Sequence, residues 1–344
     1  MKRIAALLMA ALVVSGLAGC GGKTEESIQV IAMDTMMGVT AYGKNASDAV
    51  QDAEKEIFRL EDLLSRTDPE SIVSQLNAAE GTSITVGEEV CSLMKAAEAY
   101  SQATDGAFDI TIAPVVSAWG FTTDSYQVPD QAELAELLKL VGAEHMTITG
   151  DTATLTPGTQ IDLGGIAKGY ASDRMEDIFE EYQVSRGKVE LGGNILLIGD
   201  KPDGTAWRVG IQDPARPNEQ AYAAIVQLTD AFAVTSGSYQ RYFEMDGQTY
   251  HHIIDPSTGY PADSGLTSVT VVADRDSGSG TMCDALSTAV FVMGEEKALE
   301  FWRSGVYDFE LVLVTEDDRV VVTKGLEEKL VEIEESGYTY EIVS

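Results

Sequence analysis

Three short segments of this 344-residue chain depart from their surroundings in ways that chemistry would explain. In Asp162-Leu163-Gly164-Gly165-Ile166-Ala167-Lys168 a carboxylate ends a strand, two glycines open the backbone to a ligand, and a helix over residues 164–181 begins. The free N–H groups and dipole of such a helix start favour an anion. Lys168 in the first turn opposes that dipole, which an anion seated between them would explain; a plain glycine turn with a solvated lysine fits the same letters. In the second segment, His251 and His252 precede the turn Asp255-Pro256-Ser257-Thr258-Gly259. An imidazole there could move a proton near neutral pH, or be a hydrogen-bonded structural residue. In the third, Asp284 and Thr288 stand four apart in an otherwise apolar helix and so share one face. A carboxylate and a hydroxyl so placed could ligate a hard cation through oxygen, or could serve as a cap and a back-bonded hydroxyl. Together the segments would supply an anion cradle, oxygen ligands for Mg²⁺ and a proton carrier, a set suited to a pyrophosphate substrate.

The elements that must position these segments alternate between helix and strand. Ile28 to Tyr42 reads as two short strands turned around Asp34 to Gly38. Residues 46–66 carry Ala49, Ala53, Ile57, Leu60 and Leu64 on one helical face, with Asn45 or Ser47 as cap and Asp68-Pro69 beyond. A second helix fits 88–103 and a third runs from Pro129-Asp130 through Leu140. Gly150-Asp151 marks a hairpin. From Val184 the chain breaks into short β-like runs, then returns to helix at 281–293 and 295–304, with a strand pair around Glu316-Asp317-Asp318. The frequent hairpin signals predict a mixed α/β fold of the α+β type, with largely antiparallel sheets and interspersed helices. No GxGxxG follows a strand and no GxxxxGK[ST] occurs, so the common nucleotide-binding loops are absent.

Composition narrows the possibilities. With 23 Lys+Arg against 56 Asp+Glu, a formal net charge of −33, the chain lacks the basic patch that nucleic acid requires. The start, Met1 to Cys20, has two cations, an apolar run too short to span a bilayer and small residues before a cysteine, the pattern of a secretory signal peptide. Leu17-Ala18-Gly19-Cys20 resembles the bacterial lipobox. Residues 1–19 are therefore expected to be removed, Cys20 to be lipidated, 20–27 to form a flexible tether and 28–344 to be the functional domain, extracytoplasmic and anchored to a bacterial membrane. Cys91 and Cys283 fall in helical patterns and read as buried apolar residues.

Several stretches, taken in order, resemble the ApbE family of FAD:protein FMN transferases. They are Thr35-Met36-Met37-Gly38, Gly106-Ala107-Phe108-Asp109, Trp119-Gly120-Phe121, Asp162 to Tyr170, Glu190-Leu191-Gly192-Gly193-Asn194, Trp207 to Pro214, Thr235-Ser236-Gly237, His252 to Pro256 and Asp284 to Ala289. The family often reads Met-Gly-Thr where this chain has Met37-Gly38-Val39-Thr40, and Ser287 stands where Ala is common.

The resemblance implies a T-fold-like architecture with FAD in a cleft between subregions. It implies flavin or adenine contacts at Met37, Ala107, Phe108, Asp109 and Ile253, and pyrophosphate contacts at Asp162, Gly164, Gly165 and Lys168. Mg²⁺ would be held by the Ala167 carbonyl, Asp284, Thr288 and the position of Ser287, and His252 would deprotonate the acceptor hydroxyl. The implied reaction moves FMN from FAD to a threonine of an extracytoplasmic subunit of a membrane electron-transfer complex, releasing AMP. Two rivals share the cleft: a Mg²⁺-dependent FAD pyrophosphatase using water, and a flavin-binding lipoprotein without catalysis.

Overall fold

The computed structural model describes residues 25–123, 125–216 and 219–344. The leader, Cys20 and residues 21–24 lie outside them. Strands β1 (Glu25–Ala32) and β2 (Thr35–Tyr42) form the first hairpin. Only Met33 and Asp34, both at positive φ, make its turn, so the turn is narrower than the sequence suggests and Gly38 pairs with Gln29 in mid-strand. The expected tether also shortens: Glu25, Glu26 and Ser27 pair with Tyr42, Ala41 and Thr40, because the partner strand extends far enough to satisfy their backbone.

Helix α1 (Ala46–Leu64) buries the predicted stripe of Ala49, Ala53, Ile57, Leu60 and Leu64, and Ala46 and Val50 beside it. There follow α2 (Ile72–Asn77), β3 (Ile84–Thr85), α3 (Glu88–Ala103) and α4 (Ala113–Ala118). Next come α5 (Gln131–Leu137), whose last turn to Leu140 is 3-10, and the hairpin β4 (Met146–Thr149) and β5 (Thr152–Leu155). Helix α6 spans Ala167–Glu181 and begins three residues later than predicted. The predicted strand before it is absent, since Asp162 sits in irregular chain held by its N–H on the Ile110 carbonyl at 2.7 Å.

The second half contributes β6 (Gly187–Leu191), β7 (Asn194–Ile198), β8 (Trp207–Gln212), β9 (Tyr222–Leu228) and β10 (Ala231–Gly237). The hairpin β11 (Tyr242–Met245) and β12 (Gln248–His251) leads to β13 (Leu266–Asp274). Helix α7 (Gly280–Ser304) is followed by β14 (Glu310–Thr315), β15 (Arg319–Thr323), β16 (Leu330–Glu332) and β17 (Thr339–Val343). Gly294, at φ 75° and ψ 170°, breaks α7 where the sequence separates two helical runs.

Nine strands form one sheet in the order β1-β2-β6-β7-β10-β13-β14-β15-β17, antiparallel at every pairing except β15 with β17. The largely antiparallel α+β expectation therefore holds. Both faces of the central strands are buried. Alternation sends Phe232, Val234, Val269 and Val271 toward α1, α6 and α7, and Ala231, Ala233, Val272 and Val312 toward a second sheet ordered β16-β9-β8. Helix α7 is apolar nearly all round, as a helix enclosed in the core must be. Cys91 and Cys283 are buried free thiols. No helix among the described residues is long and apolar enough to cross a membrane.

Candidate active site

A cleft of about 450 Å³ opens where the N-terminus of α6, the C-terminal end of α1, the β1–β2 turn and the ends of β7 and β10 converge. Ala107, Phe108, Asp109, Asp162, Gly164, Gly165, Ala167, Lys168, His252, Ile253, Asp284 and Thr288 all line it. The predicted segments, far apart in the chain, thus share one cavity.

One wall of the cleft is built around the glycine pair. The Asp162 Oδ1 accepts the Gly164 N–H at 2.8 Å, which holds the turn open before α6. A Cβ on Gly165 would come within 3.1 Å of the Phe108 ring, so a larger residue here would require that ring to shift. The Ile166 cap offers no side-chain hydrogen bond to the helix; the Ala167 N–H donates to the Leu163 carbonyl at 2.8 Å and the Gly169 N–H to Asp284, so the glycine turn and Lys168 are what this end of α6 presents to the cleft. Lys168 is half-buried and donates from Nζ to the Gly164 carbonyl at 3.0 Å.

The opposite wall is the Asp284 face of α7. Helices α6 and α7 cross where Gly169 meets Gly280; a Cβ on Gly169 would collide with the Gly280 carbonyl oxygen and reach 2.6 Å from the Asp284 Cβ. That approach lets the Gly169 N–H donate to Asp284 Oδ2 at 2.8 Å, while Asn194 Nδ2 donates to Asp284 Oδ1 at 3.2 Å. Asp173 on α6 accepts the Gly280 and Thr281 N–H groups at the start of α7 and fixes the register of the crossing. Lys168 Nζ stands 4.0 Å from Asp284.

Thr288 faces the cleft one turn beyond Asp284, and Ala167 borders both walls. Two implied contacts are placed elsewhere. Ser287 is fully buried, with its hydroxyl on the Asp284 carbonyl at 2.9 Å and the Ser236 hydroxyl at 2.8 Å. Met37 is fully buried in the core on β2, and Met33, Asp34 and Thr35 present that hairpin to the cleft.

The two histidines separate cleanly. His251 donates from Nε2 to the Ala262 carbonyl at 3.1 Å and accepts the Ile253 N–H at Nδ1, so both nitrogens are used. His252 has Nδ1 3.1 Å from the Arg241 carbonyl, which can only accept; the proton therefore resides on Nδ1 and the Nε2 lone pair is left over. Burial, reinforced by His251, pushes the His252 pKa down to about 4, so this imidazole is neutral at physiological pH.

Sequence reasoning missed two cations, Arg66 and Arg241, that also line the cleft. Arg66 pairs with Asp162 at 2.6 Å and donates to the Ser117 hydroxyl. A basic residue at the end of a helix is ordinary electrostatics, so nothing local marked it. Asp109 is tied to Thr111 N–H at 2.8 Å and the Ser101 hydroxyl at 3.2 Å, a cap as well as a lining residue.

No group of three or more His, Cys, Asp or Glu that could hold a metal occurs among the described residues. A cation here would rest on one carboxylate and neutral oxygens, the donor set of Mg²⁺ bound jointly by protein and phosphates.

The model of the ApbE family matches residues 33–313. This chain belongs to the ApbE family. An FAD:protein FMN transferase of Treponema pallidum is 32% identical over 344 residues, covering 92% of this chain and 93% of the relative. Another from Haemophilus influenzae is 30% identical, covering 97% of this chain and all of the relative. Among solved structures, the ApbE protein of Thermotoga maritima matches with a TM-score of 0.82 at 34% identity, covering 90% of this chain and 100% of that one. The flavinyl transferase ApbE of Pseudomonas stutzeri matches with a TM-score of 0.78 at 30% identity, covering 91% and 98%.

Proposed function

We propose that this ApbE-family chain is a Mg²⁺-dependent FAD:protein FMN transferase. A threonine hydroxyl of a partner protein attacks the FMN-side phosphorus of FAD; the new P–O bond forms as the pyrophosphate bond breaks, AMP leaves, and FMN remains as a phosphoester. The observation that carries this reading is the meeting of the Gly164-Gly165 turn and Lys168, the Asp284 and Thr288 side chains, and a neutral histidine in one cleft.

Each group has a part in that reaction. The Gly164-Gly165 turn and Lys168, at the start of α6, bind and orient the pyrophosphate. Asp284, Thr288 and the Ala167 carbonyl would hold Mg²⁺, which when bound neutralises charge on phosphate oxygens. His252 accepts the threonine proton at Nε2 and releases it to solvent after AMP departs. A base of this kind contributes about 10²–10⁴-fold. Lysine and arginine in the cleft answer the substrate charge locally, so the acidic chain needs no basic surface.

The lipobox supports a further part of the proposal: Cys20 carries the lipid anchor and the chain works outside the cytoplasm on threonine-bearing subunits of membrane electron-transfer complexes. Replacing Cys20 by Ala should release the protein from the membrane fraction in cells fed a labelled fatty acid.

The central test combines FAD, Mg²⁺ and a threonine-bearing acceptor, followed by a denaturing gel. Flavin fluorescence on the acceptor band with matching AMP is expected. AMP without a fluorescent band would make the protein a pyrophosphatase, and neither product would leave a flavin-binding lipoprotein.

A further inference from the structure

Asn194 opens β7 at the inner end of the cleft and is 1% exposed. It is delivered there by a two-residue hairpin turn in which Gly192 and Gly193 both have positive φ, at 58° and 96°. Its Nδ2 is engaged by Asp284, whereas its Oδ1 is buried without a protein partner. Two other buried side-chain atoms among the described residues share that condition, the Ser264 and Ser268 hydroxyl oxygens, and neither residue lines the cleft. Rotating the amide would not relieve it, because Oδ1 would then oppose Asp284 Oδ1 and two N–H groups would be stranded. Asp284 therefore dictates the orientation, and the unmatched oxygen follows from it. An acceptor buried without a donor is costly and is kept where a ligand or ion completes it.

We infer that Asn194 is the positioning residue of the cation site, an inference resting on the Mg²⁺ reading above. One end of its carboxamide holds the Asp284 carboxylate toward the cleft. The other end accepts a hydrogen bond from a water of the hydrated cation, of which Mg²⁺ keeps several. Outer partners of this kind set ligand orientation, and losing one costs roughly 10–100-fold in metal affinity.

The test titrates the metal-free, leaderless protein with Mn²⁺, followed by electron paramagnetic resonance, for wild type, Asn194→Leu, Asn194→Ser and Asp284→Ala. Leucine matches asparagine in shape without its polar atoms, and serine is too short to reach Asp284. Both variants should lose about 10–100-fold in Mn²⁺ affinity while their metal-free melting temperatures stay near wild type. Transfer by both should recover when Mn²⁺ is raised, with kcat largely restored. If Asn194→Leu fails to fold, Asn194→Ser decides alone. Affinity within about threefold of wild type in the folded variants overturns the inference, even if melting temperature falls, and leaves the metal site standing. Mn²⁺ bound equally well by Asp284→Ala, or not bound by wild type, overturns the metal site itself and Asn194's role with it.

Discussion

On one side of the nine-stranded sheet lie α1, α6 and α7; on the other lies the sheet of β16, β9 and β8. Both sides are close-packed and apolar, with Phe232 and Leu313 on the first and Leu228, Val312 and Val322 on the second. The cleft draws on the helical side, and the difference is physical. Strands stacked on strands satisfy their backbone laterally and leave only side chains between layers. Helices end with unpaired N–H groups, and two of them crossing at small residues can present a backbone donor to a carboxylate, as Gly169 does to Asp284. Chemistry can be built where chain ends and close crossings supply polar groups.

Asp284→Ala should break the helical side most severely. Removing the only carboxylate shared by Gly169 and Asn194 is expected to lower FMN transfer by about 10³-fold or more, measured as acceptor fluorescence, with the fold retained by circular dichroism. Unchanged labelling would remove the reason for placing the cation here.

His252→Asn should follow, at roughly 10²-fold slower transfer. Because the folded group titrates near 4, transfer by the wild type should stay level from neutral pH to well below the ordinary imidazole range. A steep loss near pH 6.5 would contradict the neutral base. The same shift has a thermodynamic consequence. The unfolded chain takes up this proton below about 6.5, whereas the folded chain resists it until about 4, so the histidine's contribution weakens the fold as pH drops through that window. Melting temperatures measured from pH 7 to 4 should fall less in His252→Asn than in wild type.

Gly169→Ala sharpens the comparison by disturbing the crossing alone. The added methyl has no room beside the Gly280 carbonyl, so the helices must part, at about 1–3 kcal/mol of stability. Transfer should drop by roughly 10-fold or more through misplacement of Asp284, with melting and labelling tracked on one preparation.

The smallest effect on transfer is expected from the far side. Leu228→Ala, in a site 1% exposed, should cost about 2–5 kcal/mol in denaturant unfolding and leave labelling per folded molecule unchanged. A matching loss of transfer would mean that the two faces are coupled.

Much of the helical side was legible beforehand. Periodicity marks the buried stripe of α1 and both ends of α3, and the glycine pair before Lys168 marks a segment that lines the cleft. The misreadings share a cause. Gly164 to Ile166 carry no signal against helix beyond the glycines, yet the Asp162 side chain captures the Gly164 N–H and delays α6 to Ala167. Ser287 neighbours two cleft residues on α7 but rotates toward Ser236 on β10. Arg66 ends the predicted first helix, and nothing near it in the chain shows that Asp162 stands beside it.

Residue order alone marked the longer helices, the buried stripe of α1 and the residue types at helix ends, because those depend on neighbours within a few positions. Only the tertiary structure decided that Gly169 and Asn194 grip one carboxylate across 115 and 90 residues, that His252 and not His251 keeps a free lone pair, and that Ser287 turns away. These depend on how closely two helices can cross and on which carbonyl a side chain meets after packing, and no local pattern carries that information.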